Sequence, residues 1–174
     1  MDGVALMNRT DTKFVFNKFQ LAEILEEVAK DYRILEVNGL RQNRYKTLYY
    51  DTVDLDFYRL HQNGKKNRYK VRSRKYVDSD LCFLEVKFKN NKGRTIKRRV
   101  RKDDFELDLS SDSNNFIETV AKKPMDLRPT LWNTFSRITL VNRNEPERLT
   151  IDLGLSFEMD EETTKMKNLV IAEL

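Results

Sequence analysis

Arg68–Tyr76 reads RYKVRSRKY, and its alternation decides the fold. Side chains of an extended segment point to opposite faces in turn. Arg68, Lys70, Arg72 and Arg74 therefore share one face, and Tyr69, Val71, Ser73 and Lys75 share the other. Four like charges along one strand repel each other, so this face needs water or an anion in front of it. Leu81–Lys89 (LCFLEVKFK) repeats the pattern: Phe83, Glu85, Lys87 and Lys89 oppose the apolar Cys82, Leu84, Val86 and Phe88. Asn90-Asn91-Lys92-Gly93 reads as a hairpin turn into Arg94–Arg101 (RTIKRRVR). There Thr95, Lys97, Arg99 and Arg101 oppose Ile96, Arg98 and Val100.

Further along the chain the same alternation returns. Phe135, Arg137, Thr139, Val141 and Arg143 alternate with Ser136, Ile138 and Leu140, on a strand predicted over 134–141 and its continuation. Over 147–153, Arg148, Thr150 and Asp152 oppose Leu149, Ile151 and Leu153. Strands are also predicted over 45–52 and over 167–174, the latter carrying Glu173. Helical spacing of Phe16, Leu21, Ile24, Leu25 and Val28 predicts a helix over 16–32, with Asn17 and Gln20 as a capping box. Shorter helices are predicted over 54–62, stopped by Asn63-Gly64, and over 113–123, ended by Pro124. The fold class is α+β, a mainly antiparallel sheet with helices outside. Alternation alone leaves two arrangements open. In one, the apolar face lies under the helices and the polar face meets solvent. In the other, a closed β-barrel turns a basic interior inward. Such an interior is prohibitive when dry, but filled with water and phosphates it becomes an anion trap.

At 174 residues the chain fits one domain spanning 1–174. A net charge of +5 hides strong polarity. Lys65–Lys102 holds 16 basic residues against Asp78, Asp80 and Glu85 alone, so the remainder of the chain is net acidic. That asymmetry points to a polyanionic partner. No apolar run reaches the roughly 18–20 residues of a membrane helix, and no secretory signal opens the chain. The single cysteine, Cys82, forms no internal disulfide, and a reducing, cytoplasmic setting is expected. The single histidine, His61, excludes a multi-histidine metal site and weighs against a Ser-His-Asp triad. Any metal would be a hard ion on carboxylates and substrate oxygens. Among the basic stretches only Phe83 offers a ring for base stacking, so a nucleic-acid partner is not expected. Tyr49 and Tyr50 read as packing residues, His61 as helix surface, Cys82 as part of an outer apolar layer, and Glu85 as a salt-bridge partner. Lys75, Arg98 and Arg101 read as solvated surface, which is also the alternative for Lys89.

Taken in order, these elements resemble a VTC-type polyphosphate polymerase domain of the CYTH, or triphosphate tunnel metalloenzyme, superfamily. RTDTKFVF (Arg9–Phe16) resembles the opening strand, with Lys13 pointing into the tunnel. LYYDTVDLDFY (Leu48–Tyr58) resembles the Tyr-x-Asp-Thr element and the helix after it. KVRSRKY resembles the Arg-x-Arg strand, LEVKFK the Glu-x-Lys strand and IKRRV the basic strand that follows. FSR (Phe135–Arg137), RLTID (Arg148–Asp152) and IAE (Ile171–Glu173) resemble the last three elements.

The resemblance implies a triphosphate tunnel that binds ATP and extends polyphosphate with Mn²⁺ or Mg²⁺. Arg72, Arg74, Lys87, Lys97, Arg137 and Arg148 would act in catalysis. Lys13, Arg68, Lys70, Lys89 and Arg99 would add substrate contacts, and Glu173 would hold the metal. No residue pattern selects adenine. A membrane-protein partner is also implied, with membrane association through it. Two departures stand out. The family's two-acid opening is Arg9-Thr10-Asp11-Thr12-Lys13 here, with one acid, which favours the polymerase branch. The lysine expected after Glu173 is absent, so a C-terminal segment of the domain is expected to be missing. A triphosphate hydrolase and a non-catalytic phosphate sensor are the alternatives.

Overall fold

The computed structural model describes residues 12–174. Arg9–Asp11 of the opening motif lies outside them. The chain runs β1 (Lys13–Asn17), a 3-10 turn (Lys18–Gln20), α1 (Leu21–Val28), β2 (Tyr32–Ile34), β3 (Gln42–Asp51) and α2 (Asp56–Gln62). It continues through β4 (Arg68–Tyr76), β5 (Leu81–Lys89), β6 (Thr95–Lys102), α3 (Ser111–Ala121), β7 (Arg128–Asn142), β8 (Arg148–Met159), β9 (Glu162–Lys165) and β10 (Leu169–Glu173). All pairings are antiparallel, in the order β1-β10-β8-β7-β3-β4-β5-β6, with β2 beside β7 and β9 beside β8.

The apolar face of this sheet is the outer one. Val71, Leu84 and Val86 join Leu48, Tyr50, Phe57 of α2 and Ile117 of α3 in one core. Leu140, Leu149, Ile151, Val170 and Ala172 form a second, covered by Leu21, Leu25 and Val28 of α1. Cys82 is fully buried on the same outer face. The polar face is concave, because residues of β1, β3–β8 and β10 line a single cavity. Both sequence-derived arrangements thus contribute. The cations face inward and helices wrap the outside, yet the ladder ends at β1 and β6 and these do not pair among the described residues.

Bulges bend the long strands. The β3–β7 register shifts at Tyr49/Tyr50 and the β7–β8 register between Thr134 and Ser136. Gly154, at φ +62°, occupies the second bulge, where a side chain would be strained. The strands predicted over 134–141 and 147–153 run longer, as Arg128–Asn142 and Arg148–Met159, because pairing continues past the register shifts near Pro129 and Gly154. The helix predicted over 16–32 is instead strand, turn, helix and strand. Asn17 does cap, with Gln20 completing the box, but it caps the 3-10 turn. Tyr32–Ile34 leaves the helical pattern because Leu140–Asn142 offers it a strand partner.

The Tyr-x-Asp-Thr element is a structural device. The Asp51 carboxylate, nearly buried, accepts hydrogen bonds from the backbone N–H groups of Phe57 and Tyr58, both 2.9 Å, and of Thr52, 2.8 Å. It thereby fastens the start of α2 to the end of β3. Asp51→Ala should lower stability by about 2–3 kcal/mol, since it orphans several backbone donors at once. The shift of the urea midpoint measures this, and a loss below about 0.5 kcal/mol would contradict the capping role.

Candidate functional site

β4 supplies the floor of the cavity. Arg68, Lys70, Arg72, Arg74 and Tyr76 all line it, as strict alternation requires. β5 and β6 continue the floor in register. Lys87 lies opposite Lys70 on one side and Lys97 on the other, so three lysines form a row across three strands. Lys89 lies opposite Arg68. From the other wall come Arg137 of β7, Arg148 and Asp152 of β8, Glu173 of β10 and Lys13 of β1. The cavity measures about 1130 Å³. Lys13 and Glu173 of one wall line the same cavity as Lys70 and Lys87 of the other.

Eleven of the twelve residues expected in the site therefore converge. Arg99 does not. It is exposed on β6 beyond the cavity, its guanidinium 4.5 Å from the centre of the Phe83 ring. Its neighbour Lys97 points inward because Glu85 attracts it, whereas β6 is an edge strand and leaves Arg99 at the rim.

The cations divide into two kinds. Some are matched by carboxylates. Glu85, with no exposed surface, accepts 2.8 Å contacts from Arg72 Nε and Nη2, and its other oxygen meets the Lys97 ammonium. Burial alone would raise the Glu85 pKa, but Arg72 and Lys97 hold it down at about 2. Arg137 grips Asp152 bidentately at 2.6 and 2.7 Å. Lys13 pairs with Glu173 at 3.0 Å.

The second kind has no carboxylate partner among the described residues. Arg74, nearly buried, donates to the Thr47 hydroxyl at 3.1 Å and otherwise faces rings: its guanidinium lies 5.6 Å from Tyr45 and 5.5 Å from Phe135. Burial, then the charge of Arg72, pulls its pKa down to about 10. Burial and the same arginine pull Lys87 down to about 7. Lys70 is lowered by burial too, with Arg68, Arg72 and Lys13 adding to it. Cations held this way, at a cost in desolvation and mutual repulsion, form a pre-set anion site.

Three residues with other expectations also line the cavity. Tyr49, read as packing, sits opposite Arg72, which donates to its hydroxyl at 3.4 Å. Against the effect of burial, Arg72 and then Arg74 lower the Tyr49 pKa. The β3–β4 register would have revealed this, but register is not written in β3 alone. His61 stands at the Arg68–Lys89 end, where burial and then Lys70 lower its pKa. Asn133, outside every predicted element, lies nearly buried in the wall.

Four carboxylates line the cavity: Glu173 and Asp152, on neighbouring strands and both engaged with cations, and Glu145 and Glu147, between β7 and β8 at its edge. A divalent ion would sit on the first two. No group of three potential metal ligands occurs among the described residues. This donor set suits a hard ion carried in by phosphates, because Mg²⁺-type sites commonly use one or two carboxylates and complete their shell with substrate oxygens.

Lys87 supplies a pH test. Unfolded, it keeps its proton up to about 10.5; folded, only to about 7. Between these values the unfolded chain binds more protons, so its contribution makes stability rise with pH. Lys87→Met should therefore raise the urea midpoint most at pH 6.5, with the gain shrinking by pH 9.5. A gain that does not depend on pH would contradict the burial of a strained cation.

The VTC domain family model matches residues 8–173. No curated protein matches the chain in sequence. Among solved structures it is similar to the PH1012 protein of Pyrococcus horikoshii OT3, at 10% identity and a TM-score of 0.50, covering 94% of this chain and 76% of that one. It is also similar to a putative adenylyl cyclase from Hippeastrum described as having a dominant triphosphatase activity. That likeness has 14% identity and a TM-score of 0.51, and covers 94% of this chain and 78% of the other. At such identities these likenesses speak for the fold alone. The sheet, its inward cations and the match over nearly the whole sequence agree: the chain belongs to the VTC domain family.

Proposed function

We propose that residues 1–174 form a tunnel domain that transfers the γ-phosphate of ATP to a growing polyphosphate chain with the help of Mn²⁺ or Mg²⁺. The observation that carries this is the set of inward cations without carboxylate partners, Lys70, Arg74 and Lys87, in a cavity large enough for a phosphate chain.

Phosphoryl transfer asks mainly for placement and charge neutralisation. Arg74, Lys70 and Lys87 would bind the triphosphate oxygens directly. Arg72 and Arg137 would take phosphate from a fixed position, because Glu85 and Asp152 lock their guanidinium planes. Glu173, with Asp152 beside it, would hold the divalent ion, whose chemistry is to neutralise phosphate oxygens as charge builds on them. The terminal oxygen of the acceptor chain attacks the γ-phosphorus; that P–O bond forms as the bond to the β-phosphate oxygen breaks, and ADP leaves. The attacking oxygen is already ionised at neutral pH, so no base is required. Glu85, Asp152 and Glu173 are all paired with cations, which leaves none of these strand carboxylates free to deprotonate water and favours transfer over hydrolysis.

No helix among the described residues is long and apolar enough to cross a membrane. Membrane attachment through a partner protein is part of this proposal. A phosphate sensor is the second reading, favoured by the thin carboxylate set.

Incubation with ATP and Mn²⁺, following polyphosphate and free phosphate together, tests the proposal. Polyphosphate should form, and Arg74→Ala should lower kcat/KM by roughly 10²-fold, the scale of one lost transition-state donor. Free phosphate alone would indicate a hydrolase. Tight triphosphate binding without product would indicate the sensor. No triphosphate binding would end all three readings.

A further inference from the structure

The charge of the cavity floor does not stop where its lining stops. At one end of β4–β6 the ladder sets Arg68 opposite Lys89 and Lys89 opposite Thr95, and all three line the cavity. Two loops leave the sheet there. Residues 63–67 read NGKKN and lead into Arg68, and residues 90–94 read NNKGR and join Lys89 to Thr95. Their cations, Lys65, Lys66, Lys92 and Arg94, are exposed and lie outside the cavity lining.

Both loops are fastened to the sheet end. The Arg68 guanidinium donates to the Lys65 carbonyl oxygen at 2.6 Å. The Asn90 side-chain oxygen accepts from the backbone N–H groups of Lys92 and Arg94 at 3.0 and 2.9 Å. No carboxylate answers the charge. Asp and Glu are absent from 57–77 and from 86–102. Among the described residues none of these four cations, nor Arg68 or Lys89, forms an ion pair. Glu145 and Glu147 reach the cavity from the β7–β8 loop and pair with none of them.

The make-up of the two loops narrows the ligand. They hold only Asn, Gly, Lys and Arg. A nucleic-acid strand wants rings on which its bases stack. A membrane is held firmly only when a second, apolar anchor joins the basic patch. A bare chain of phosphates asks for positive charge and hydrogen-bond donors alone.

We propose that these loops form an exterior collar that binds a polyphosphate chain beyond the cavity. This rests on the polyphosphate reading above and extends it to the outer surface. Arg68 and Lys89 belong to the lining, and Lys65, Lys66, Lys92 and Arg94 carry the counter-charge past the rim. A chain held there stays attached while the cavity exchanges one nucleotide for the next.

Titration calorimetry with inorganic tripolyphosphate and with long-chain polyphosphate, at several salt concentrations, tests the collar. It compares the wild type with a variant carrying Lys65→Ser, Lys66→Ser, Lys92→Ser and Arg94→Ser. The wild type should bind the long chain more tightly and with a steeper salt dependence. Each neutralised phosphate adds roughly 0.7 to the slope of log K against log salt, so the variant should lose about three from that slope and about tenfold or more in long-chain affinity. Its tripolyphosphate affinity should stay within about twofold, because solvent screens charges outside the cavity. Equal wild-type affinity for the two ligands would overturn the collar and leave the cavity reading standing. So would a variant that keeps the wild-type slope, or one that loses both ligands alike. A variant that loses binding to phosphatidylserine vesicles but keeps its long-chain affinity would overturn the collar in favour of a membrane surface. Failure of the wild type to bind either phosphate compound would overturn the cavity reading itself, and the collar with it.

Discussion

The Glu85 carboxylate, sealed between Arg72 and Lys97, is the interaction on which the inner face depends. It sits on β5, between the strand that carries Arg68–Arg74 and the edge strand that carries Lys97. Without a negative charge there, cations on three adjacent strands would face one another across strand-to-strand distances, where like charges destabilise a sheet. One fully buried acid is tolerable because two cations compensate it. Its effect is selective. It fixes Arg72 and Lys97 and leaves Lys70, Lys87 and Arg74 without a partner of their own.

That imbalance explains why the sheet is built inside out relative to an ordinary half-exposed sheet. The apolar side chains of β4 and β5 face outward and are covered by α2 and α3, while those of β8 and β10 are covered by α1. The helices supply the burial, and the concave face is released from packing duty. It can then carry desolvated cations whose natural counterions are the oxygens of a bound phosphate chain. Stability given up by these cations in the empty cavity returns as binding when an anion neutralises them, which is the usual link between a strained site and its ligand.

The two walls play different parts. On the β4–β6 floor the cations outnumber the acids, and lysine follows lysine across the strands. On the β7–β10 wall each inward carboxylate has a cation beside it, Asp152 with Arg137 and Glu173 with Lys13. Phosphate oxygens therefore find unmatched charge on the floor and oriented, already compensated groups on the wall. The aromatic pair Tyr45–Phe135 lies between them and holds one arginine from each side, Arg74 and Arg137.

How much of this was legible beforehand follows from the range of each interaction. The period-two pattern of RYKVRSRKY and LCFLEVKFK determines which side chains share a face, and that is local stereochemistry, so β4 and β5 emerge with their bounds intact and Glu85 with its role as a salt-bridge partner. The same pattern puts Arg148 and Asp152 on one face of β8, and Arg137 on the face of β7 opposite Ile138 and Leu140, before any fold is known. Which way these faces turn depends on curvature, and curvature depends on bulges at Tyr49/Tyr50 and near Gly154 that only the pairing with neighbouring strands creates. Arg99 and Tyr49 mark the same limit. Alternation puts Arg99 beside Lys97, but only its position on an edge strand excludes it from the cavity. Tyr49 looks like any strand aromatic until the β3–β4 register sets it against Arg72. The sequence by itself determined the faces and their charge. The tertiary structure decided which cations are matched and which are left for an anion, because those outcomes rest on contacts between residues far apart in the chain.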